Sequence, residues 1–478
     1  MERPRIVIIG AGPAGIRCAQ TLVDAGLSPI VLDEQPQSGG QIYKRQPPGF
    51  KRDYNTLYGT EALKAKALHR CADTLQAKID YYPNTSVWDV QDKVVYAYQD
   101  EKPIEIHYDY LVLCTGAIDR VIPIAGWQQA GSYTLGGAQI ALKHQGLSIG
   151  KQVVFMGTGP LLYLVAYQYV KAGANVEAVL DTSSFADRLK GLLGLMAKPK
   201  ALLSGMYFIA KMKKRGVVFK NAIKPKTILG DEQGVAGVEV EDAAGKVWHF
   251  ACDAVATGFH LKPETQLADL LGCEFIYEPL SQLWLPKTDE CGRTTVAGVY
   301  CAGDGSAILG ADAAECAGKL AAMALLTDAK QLTEKLKQRL PKLQHKMTQL
   351  RRFGMGLQKA FPWPAYLLDE IEDNTVICRC EMILAKEIRD SVVQKGADEV
   401  NRSKSFTRVG MGRCQGRYCS HVNAQLIANA SRNGRSLEAT STGAFVGRQR
   451  SQAPVKPLPV NVYLNEPLVV DRKEEVIL

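Results

Sequence analysis

The sequence predicts an α/β fold: two Rossmann-like units, the second inserted into the first, followed by a small α-rich domain. Three observations predict it. An apolar run of strand type, Arg5 to Ile9, opens into glycines at G-x-G-x-x-G spacing; a second apolar run, Gln152 to Met156, opens into Gly157-Thr158-Gly159; and four of the twelve cysteines gather near the C-terminal end.

In the first unit each glycine has its own task. Gly10 makes the tight turn, Gly12 lets the backbone approach a pyrophosphate at the helix N-terminus, and Gly15 lets helix and strand pack closely. Pro13 and Ala14 lie inside this turn, and the helix reads Ile16 to Asp24. The next strand, Pro29 to Leu32, ends in Asp33 and Glu34, where a carboxylate can accept both hydroxyls of an adenosine ribose. Gly39-Gly40-Gln41 follows; paired glycines let the main chain pass close to a flat ring, and Gln41 offers donors and acceptors to it. A helix is predicted over 55–79, then hairpin strands over 86–99 and 104–108. Tyr110 to Leu113 reads as a buried strand that breaks at Thr115-Gly116.

The order G-x-G-x-x-G, acid, GGQ, T-G resembles the flavoproteins with two dinucleotide-binding domains, the group of thioredoxin reductase and the NADH-dependent ferredoxin reductases. The resemblance implies FAD in the first site. It also implies a closing motif, which is found at Thr295 to Asp304: Gly303-Asp304 matches the family's pair whose aspartate hydrogen-bonds the ribityl chain. A helix from Ala313 to Leu326 then turns its N-terminus toward the flavin pyrimidine.

The second unit carries Gly157 and Gly159, a helix to Ala172, and a strand Val176 to Leu180 ending in Asp181. Leu162 stands where the third glycine is expected, so a hydride-donating NADH competes here with a vestigial site or a structural adenine nucleotide. Asp181 disfavours a ribose 2′-phosphate, which makes NAD the choice over NADP if either binds. The unit closes at Thr257-Gly258. Within it, 188–215 is rich in Lys and Arg without an acid; such a stretch covers a partner or a substrate path, or lies on an anionic membrane.

Beyond a charged helical linker, Cys378 and Cys380 form C-x-C, and Cys414 and Cys419 form C-x4-C. Four thiolates in two close pairs hold zinc or an iron–sulfur cluster. A flavin in the same chain and the glycines around Cys414, which free N–H groups to donate to sulfur, favour iron. So does the excess of Lys and Arg between Val400 and Leu437. The segment resembles the bacterioferritin-associated ferredoxin-like [2Fe-2S] domain, with C-x4-C in place of the C-x-x-C of some members.

The resulting division is 1–118 and 263–328 for the two parts of the FAD domain and 119–262 for the NAD-type domain, with a basic insertion at 183–215. A helical linker covers 329–375, the [2Fe-2S] domain 376–437, and an extended tail 438–478. A net charge of +9 over 478 residues, with basic residues not interleaved with aromatics, gives no reason to read nucleic-acid binding. The first strand begins close to Met1 and no apolar run is long enough to span a bilayer, so a cytoplasmic protein, at most peripherally associated with membrane, is expected. The other eight cysteines are isolated in sequence and no disulfide-reductase cysteine pair is present.

Taken together, GGQIYKR, TGPLL, ATGFHLKPETQL, CAGDG, VICRCE and GMGRCQGRYC resemble the A (alpha) subunits of heteromeric opine oxidases and of hydroxyproline and proline dehydrogenases, and their homologue in hydrogen cyanide synthase. The resemblance implies an oxidoreductase acting on CH–NH donors. Amino or imino acid, or opine, is oxidised on a separate flavin-containing beta subunit, and this chain relays electrons. In some members it does so with a further flavin, FMN, at a subunit interface or with a small ferredoxin-like subunit. Consistent with that, no catalytic acid–base set is found near either glycine motif. Two other readings stay open: a stand-alone NADH-dependent flavin/[2Fe-2S] reductase, and a zinc-bearing scaffold that binds a partner.

Overall fold

The computed structural model describes residues 3–47, 49–50, 52–100, 102–431, 442–464 and 466–470. The first sheet holds five parallel strands in the order Val299–Cys301, Tyr110–Leu113, Ile6–Ile9, Ile30–Leu32, Asp80–Tyr82. Ile6–Ile9 is central and covered on both faces, so its sequence is a continuous apolar run rather than an alternating one. Ile6 and Ile8 join the core beneath the helices Pro13–Asp24 and Ala311–Asp328. Val7 and Ile9 face the antiparallel strands Thr85–Gln91, Val94–Gln99 and Lys102–His107. The two helices cross at van der Waals contact of their backbones: a Cβ on Gly318 would stand 2.0 Å from the Ala14 carbonyl oxygen. Both begin a few residues before the sequence-predicted starts.

The second sheet, also parallel, runs Val218–Asn221, Val176–Asp181, Val153–Thr158, Ala254–Phe259, Ser132–Thr134. The chain enters and leaves this unit along one antiparallel pair, Ala117–Asp119 with Leu261–Pro263. One face of the sheet shares a single core with the C-terminal domain, in which Trp127, Val238 and Phe250 pack with Ile377, Val422 and Leu426. Trp127 Nε1 also donates to the Val376 carbonyl at 2.9 Å.

The basic stretch forms two helices, Phe185–Leu195 and Pro199–Lys213. The first lies on the long linker helix Leu340–Ala360 through glycines: a Cβ on Gly194 would stand 2.5 Å from Gly356 Cα. The pair turns Phe185, Leu193 and Met206 to solvent at 74%, 77% and 61% exposure. The C-terminal domain is a ribbon of Val376–Cys378 and Ile383–Leu384 backed by helices Ala385–Lys395, Val400–Thr407 and Ser420–Ser431. Its predicted end, 432–437, and tail residues 438–441, 465 and 471–478 lie outside the described residues. The described tail returns across the first unit: Val455 N–H donates to the Trp88 carbonyl, and Leu468–Val470 pairs in parallel with Lys102–His107.

Candidate functional site

Four separate sequence motifs meet above the first sheet. Gly10 has φ +106° with its Cβ direction blocked 2.3 Å away by the Cys114 carbonyl, and a Cβ on Gly15 would stand 1.8 Å from the Gly10 oxygen. The helix that follows begins at Pro13 with Gly12 as N-cap and no capping side chain, so its first N–H groups point outward unsatisfied, as an anion requires. The loop of Gly40-Gln41 lies on this turn, with the Cβ direction of Gly40 3.0 Å from Gly12 Cα. Gly303 abuts Ala14, and Gly305 abuts Thr115 Oγ1 and the Gly116 N–H. Asp304 accepts from Leu309 and Gly310 N–H through Oδ1, both at 3.1 Å, and burial pushes its carboxyl up. Asp33 accepts the Ala11 N–H at 2.5 Å and the Gln35 N–H at 2.7 Å, so it braces the glycine turn. Glu34 is exposed and pairs with Lys456 of the tail at 2.6 Å. A cradle of backbone against backbone at which added Cβ atoms would collide, with an uncapped helix start, fits a dinucleotide of the FAD kind.

The second glycine turn is arranged differently. Gly157 and Gly159 keep positive φ, +153° and +114°. Leu162 is fully buried in the core under the sheet. Asp181 is 0% exposed and already holds three donors: Tyr163 OH at 2.6 Å, Arg188 Nη2 at 3.1 Å and Ser183 N–H at 2.8 Å. His260 stands 3.6 Å from the Cβ direction of Gly159, and burial lowers its imidazole to about 4. Phe361, at the end of the linker helix, leans on Tyr163 with ring centroids 6.4 Å apart, and Arg188 lies 5.8 Å from its centroid. The chain's own side chains thus hold the ribose acid, and His260 lies in van der Waals contact beside the turn.

The four C-terminal cysteines stand as two facing pairs, each drawn from both loops: Cys378 with Cys419, and Cys380 with Cys414. Cys378 is lowered to about 6 because it accepts from the Cys419 thiol and from the N–H groups of Gly410, Glu381 and Cys380; Cys419, which keeps the proton, is raised. The close approach depends on Gly412, where a Cβ would stand 2.2 Å from Cys380 Cβ. Among the described residues no three ligand side chains converge on one point. Two facing pairs of thiolates fit two irons with two thiolates each. Backbone N–H groups already aimed at sulfur fit a cluster as well.

The two sites are joined by residues that the motifs do not contain. Thr115 Oγ1 donates to the Glu264 carbonyl at 2.6 Å, and Glu264 N–H donates to the Gly116 carbonyl at 3.0 Å. The Glu264 carboxylate accepts Arg417 Nε at 2.6 Å, and Arg417 Nη1 reaches the Cys414 carbonyl at 3.4 Å. Four linked residues therefore connect the flavin-side loop to a cysteine loop. Beside them lies a cavity of about 130 Å³ bordered by Arg120, Lys262, Gln266, Trp363, Arg417 and His421. Burial lowers Lys262 to about 8 and Arg120 to about 9. Gln449 of the tail completes the cysteine loop by donating to the Gly410 carbonyl at 3.1 Å. The available signal for Lys262 and Glu264 is the run HLKPET directly after an apolar strand; Gln449 has none.

Residues 4–325 match the family described as pyridine nucleotide-disulphide oxidoreductase, and residues 376–436 match the BFD-like [2Fe-2S] binding domain. The chain is 34% identical over 469 residues to the A (alpha) subunit of opine oxidase from Rhizobium meliloti, covering 95% of this chain and 86% of that one. It is 29% identical over 472 residues to the HcnB protein of hydrogen cyanide synthase from Pseudomonas protegens, covering 96% and 97%. The crystal structure of L-proline dehydrogenase from P. horikoshii shares the fold with a TM-score of 0.68 at 20% identity, over 96% of this chain and 79% of that one.

Proposed function

The chain belongs to the pyridine nucleotide-disulphide oxidoreductase family, with the A (alpha) subunits of opine oxidases and a BFD-like [2Fe-2S] domain, and from that premise we propose that it is the FAD- and [2Fe-2S]-containing electron-transfer subunit of a heteromeric amino-acid or opine dehydrogenase. A flavin takes up two electrons and releases them singly, and an iron–sulfur cluster carries one, which is the chemistry these groups supply when bound. The chain's own part is to hold them at a fixed separation. The observation that carries the reading is the linkage Thr115–Glu264–Arg417–Cys414, which ties the flavin-side loop to the cluster loop through hydrogen bonds.

Gly10, Gly12, Pro13, Ala14 and Gly15 receive the pyrophosphate, Asp33 or Glu34 the ribose, and Gly40, Gln41, Thr115, Gly116, Gly303 and Asp304 the remainder of FAD. Cys378, Cys380, Cys414 and Cys419 hold the cluster. The second unit takes no NADH in this reading: Asp181 is already bound to Tyr163 and Arg188, and His260 stands against the turn of Gly157 and Gly159.

Substrate is oxidised on a partner flavoprotein subunit, which docks on the exposed apolar face of the helices Phe185–Leu195 and Pro199–Lys213. The eight cysteines outside the cluster set, none in a disulfide, support a reducing compartment, the cytoplasm. Among the described residues no helix is long and apolar enough to cross a membrane.

Anaerobic titration of the chain with its co-expressed partner, followed by absorbance, tests the reading. Imino acids or opines are expected to bleach the flavin and cluster bands and NADH to leave them unchanged. Rapid bleaching of the isolated chain by NADH would overturn it in favour of a reductase acting alone.

A further inference from the structure

We infer that Lys262 is the charge partner of the four-cysteine site and sets the reduction potential of the cluster held there, an inference that rests on reading that site as [2Fe-2S]. Lys262 lies on the strand Leu261–Pro263, where the chain passes from the second unit back to the first. Its ammonium donates to Ser420 Oγ at 3.1 Å, on the residue that follows Cys419, and it lies within electrostatic reach of both Cys419 and Cys414. Glu264, whose charge acts on Lys262, is already bound to Arg417 at 2.6 Å. Among the described residues Lys262 forms no ion pair.

Of the other cations on this cavity, Arg417, Arg448 and Arg450 are paired with Glu264 and Asp269, while Arg120, 4% exposed, has no carboxylate partner among the described residues either. It donates to the carbonyls of Ser281 and Gln282 and lies 3.4 Å from the centroid of Trp363, with its Nε unpartnered. The cavity wall is therefore net positive. Shielded cations without a counter-charge are strongly destabilising, so this arrangement calls for negative charge beside it. Four thiolates holding two irons supply it, because such a cluster is net negative and becomes more so by one charge when it accepts an electron. A fixed cation nearby favours the state with the extra negative charge and raises the potential. The step it acts on is the addition of one electron to the cluster, with no proton and no bond broken.

The test is an EPR-monitored redox titration of the full chain with its partner, with iron content measured on the same samples, for wild type, Lys262→Met and Lys262→Arg. Lys262→Met is expected to lower the cluster midpoint potential while iron content and the flavin midpoint stay at wild-type values; Lys262→Arg is expected to keep the wild-type potential. Should the methionine variant fail to assemble, Lys262→Gln, which retains a donor for Ser420 and removes the charge, carries the same expectation. A neutral variant with full iron and an unshifted cluster potential overturns the inference, as does an equal shift of flavin and cluster. A wild-type chain that contains zinc and gives no EPR signal on reduction overturns the [2Fe-2S] reading and the inference with it.

Discussion

The contact between Glu264 and Arg417 allows a quantitative test of how the two redox sites are held. The pair lies at 2.6 Å with side-chain exposures of 13% and 10%, and Arg417 donates in addition to the Val455 carbonyl at 2.6 Å. For a pair this shielded, removing one member strands the other charge, which costs about 3–5 kcal/mol, whereas an exposed pair is worth about 0–1 kcal/mol. Glu264→Gln and Arg417→Met should each destabilise the cysteine domain by about 3 kcal/mol. The double variant should cost much less than their sum, because no orphaned charge remains. Denaturant unfolding followed separately at the cluster absorbance and at the flavin is the assay, since a chain of several units need not unfold in one step. The cluster signal should be lost first in both single variants. The reasoning is refuted if each single change costs less than about 1 kcal/mol, or if the two add to within about 0.5 kcal/mol, the behaviour of independent sites.

Three further outcomes are expected. Cys378→Ser or Cys414→Ser should abolish the iron absorbance and leave the flavin spectrum, measured on the same purified chain. Gly15→Val, whose Cβ would collide with the Gly10 carbonyl at 1.8 Å, should yield protein without FAD by absorbance, since the turn cannot be kept. Lys143 is 2% exposed, donates to the Ile42 carbonyl at 2.9 Å, and burial lowers it to about 7 against an ordinary 10.5. Between those two values the unfolded chain binds the extra proton, so the stability of wild type relative to Lys143→Met should rise with pH, by at most about 1.4 kcal/mol per unit, and level off below about pH 7. A flat difference between pH 7 and 10 in urea midpoints would contradict that burial.

What the sequence reveals and what it hides follow from the range of the interactions. The glycine turns are legible because their spacing is local: Gly15 answers to the Gly10 carbonyl one turn back and Gly412 to the facing cysteine loop, whereas the neighbour that blocks Gly10, the Cys114 carbonyl, comes from a distant strand end and leaves no local trace. The cysteine spacing is legible for the same reason, although only the structure reveals that the pairs form across the two loops. Asp181 illustrates the limit. It stands where a ribose acid belongs, but whether its carboxylate is available depends on Tyr163 and Arg188, whose side chains no spacing rule assigns to it. The bridge of Glu264 to Arg417 spans 153 positions, and Gln449 reaches the cysteine loop from the tail; neither leaves a periodic trace. The basic stretch reads as amphipathic, while the glycines that seat it on the linker helix, Gly191 and Gly194 against Gly356, look like helix breakers until the crossing is seen.

The second Rossmann-like unit poses a question of economy, since it keeps a complete parallel sheet and both glycines yet has its ribose acid occupied. Its other face answers the question. That face is not a nucleotide surface but half of the core of the cysteine domain, with Trp127 bonded to the Val376 carbonyl and Arg379 lying 5.1 Å from the Trp127 ring centroid. A domain joined through one continuous apolar core is held far more rigidly than one attached by a polar interface. The linkage from Thr115 to Cys414 runs beside the Ala117–Asp119 and Leu261–Pro263 crossing, where this unit joins the first. A rotation of this unit and the cysteine domain against the first unit would have to separate Glu264 from Arg417 and open that junction. The unit's contacts are therefore those of a rigid support for the cysteine domain, and Tyr163, Arg188 and Phe361, gathered at Asp181, belong to the same fixed packing.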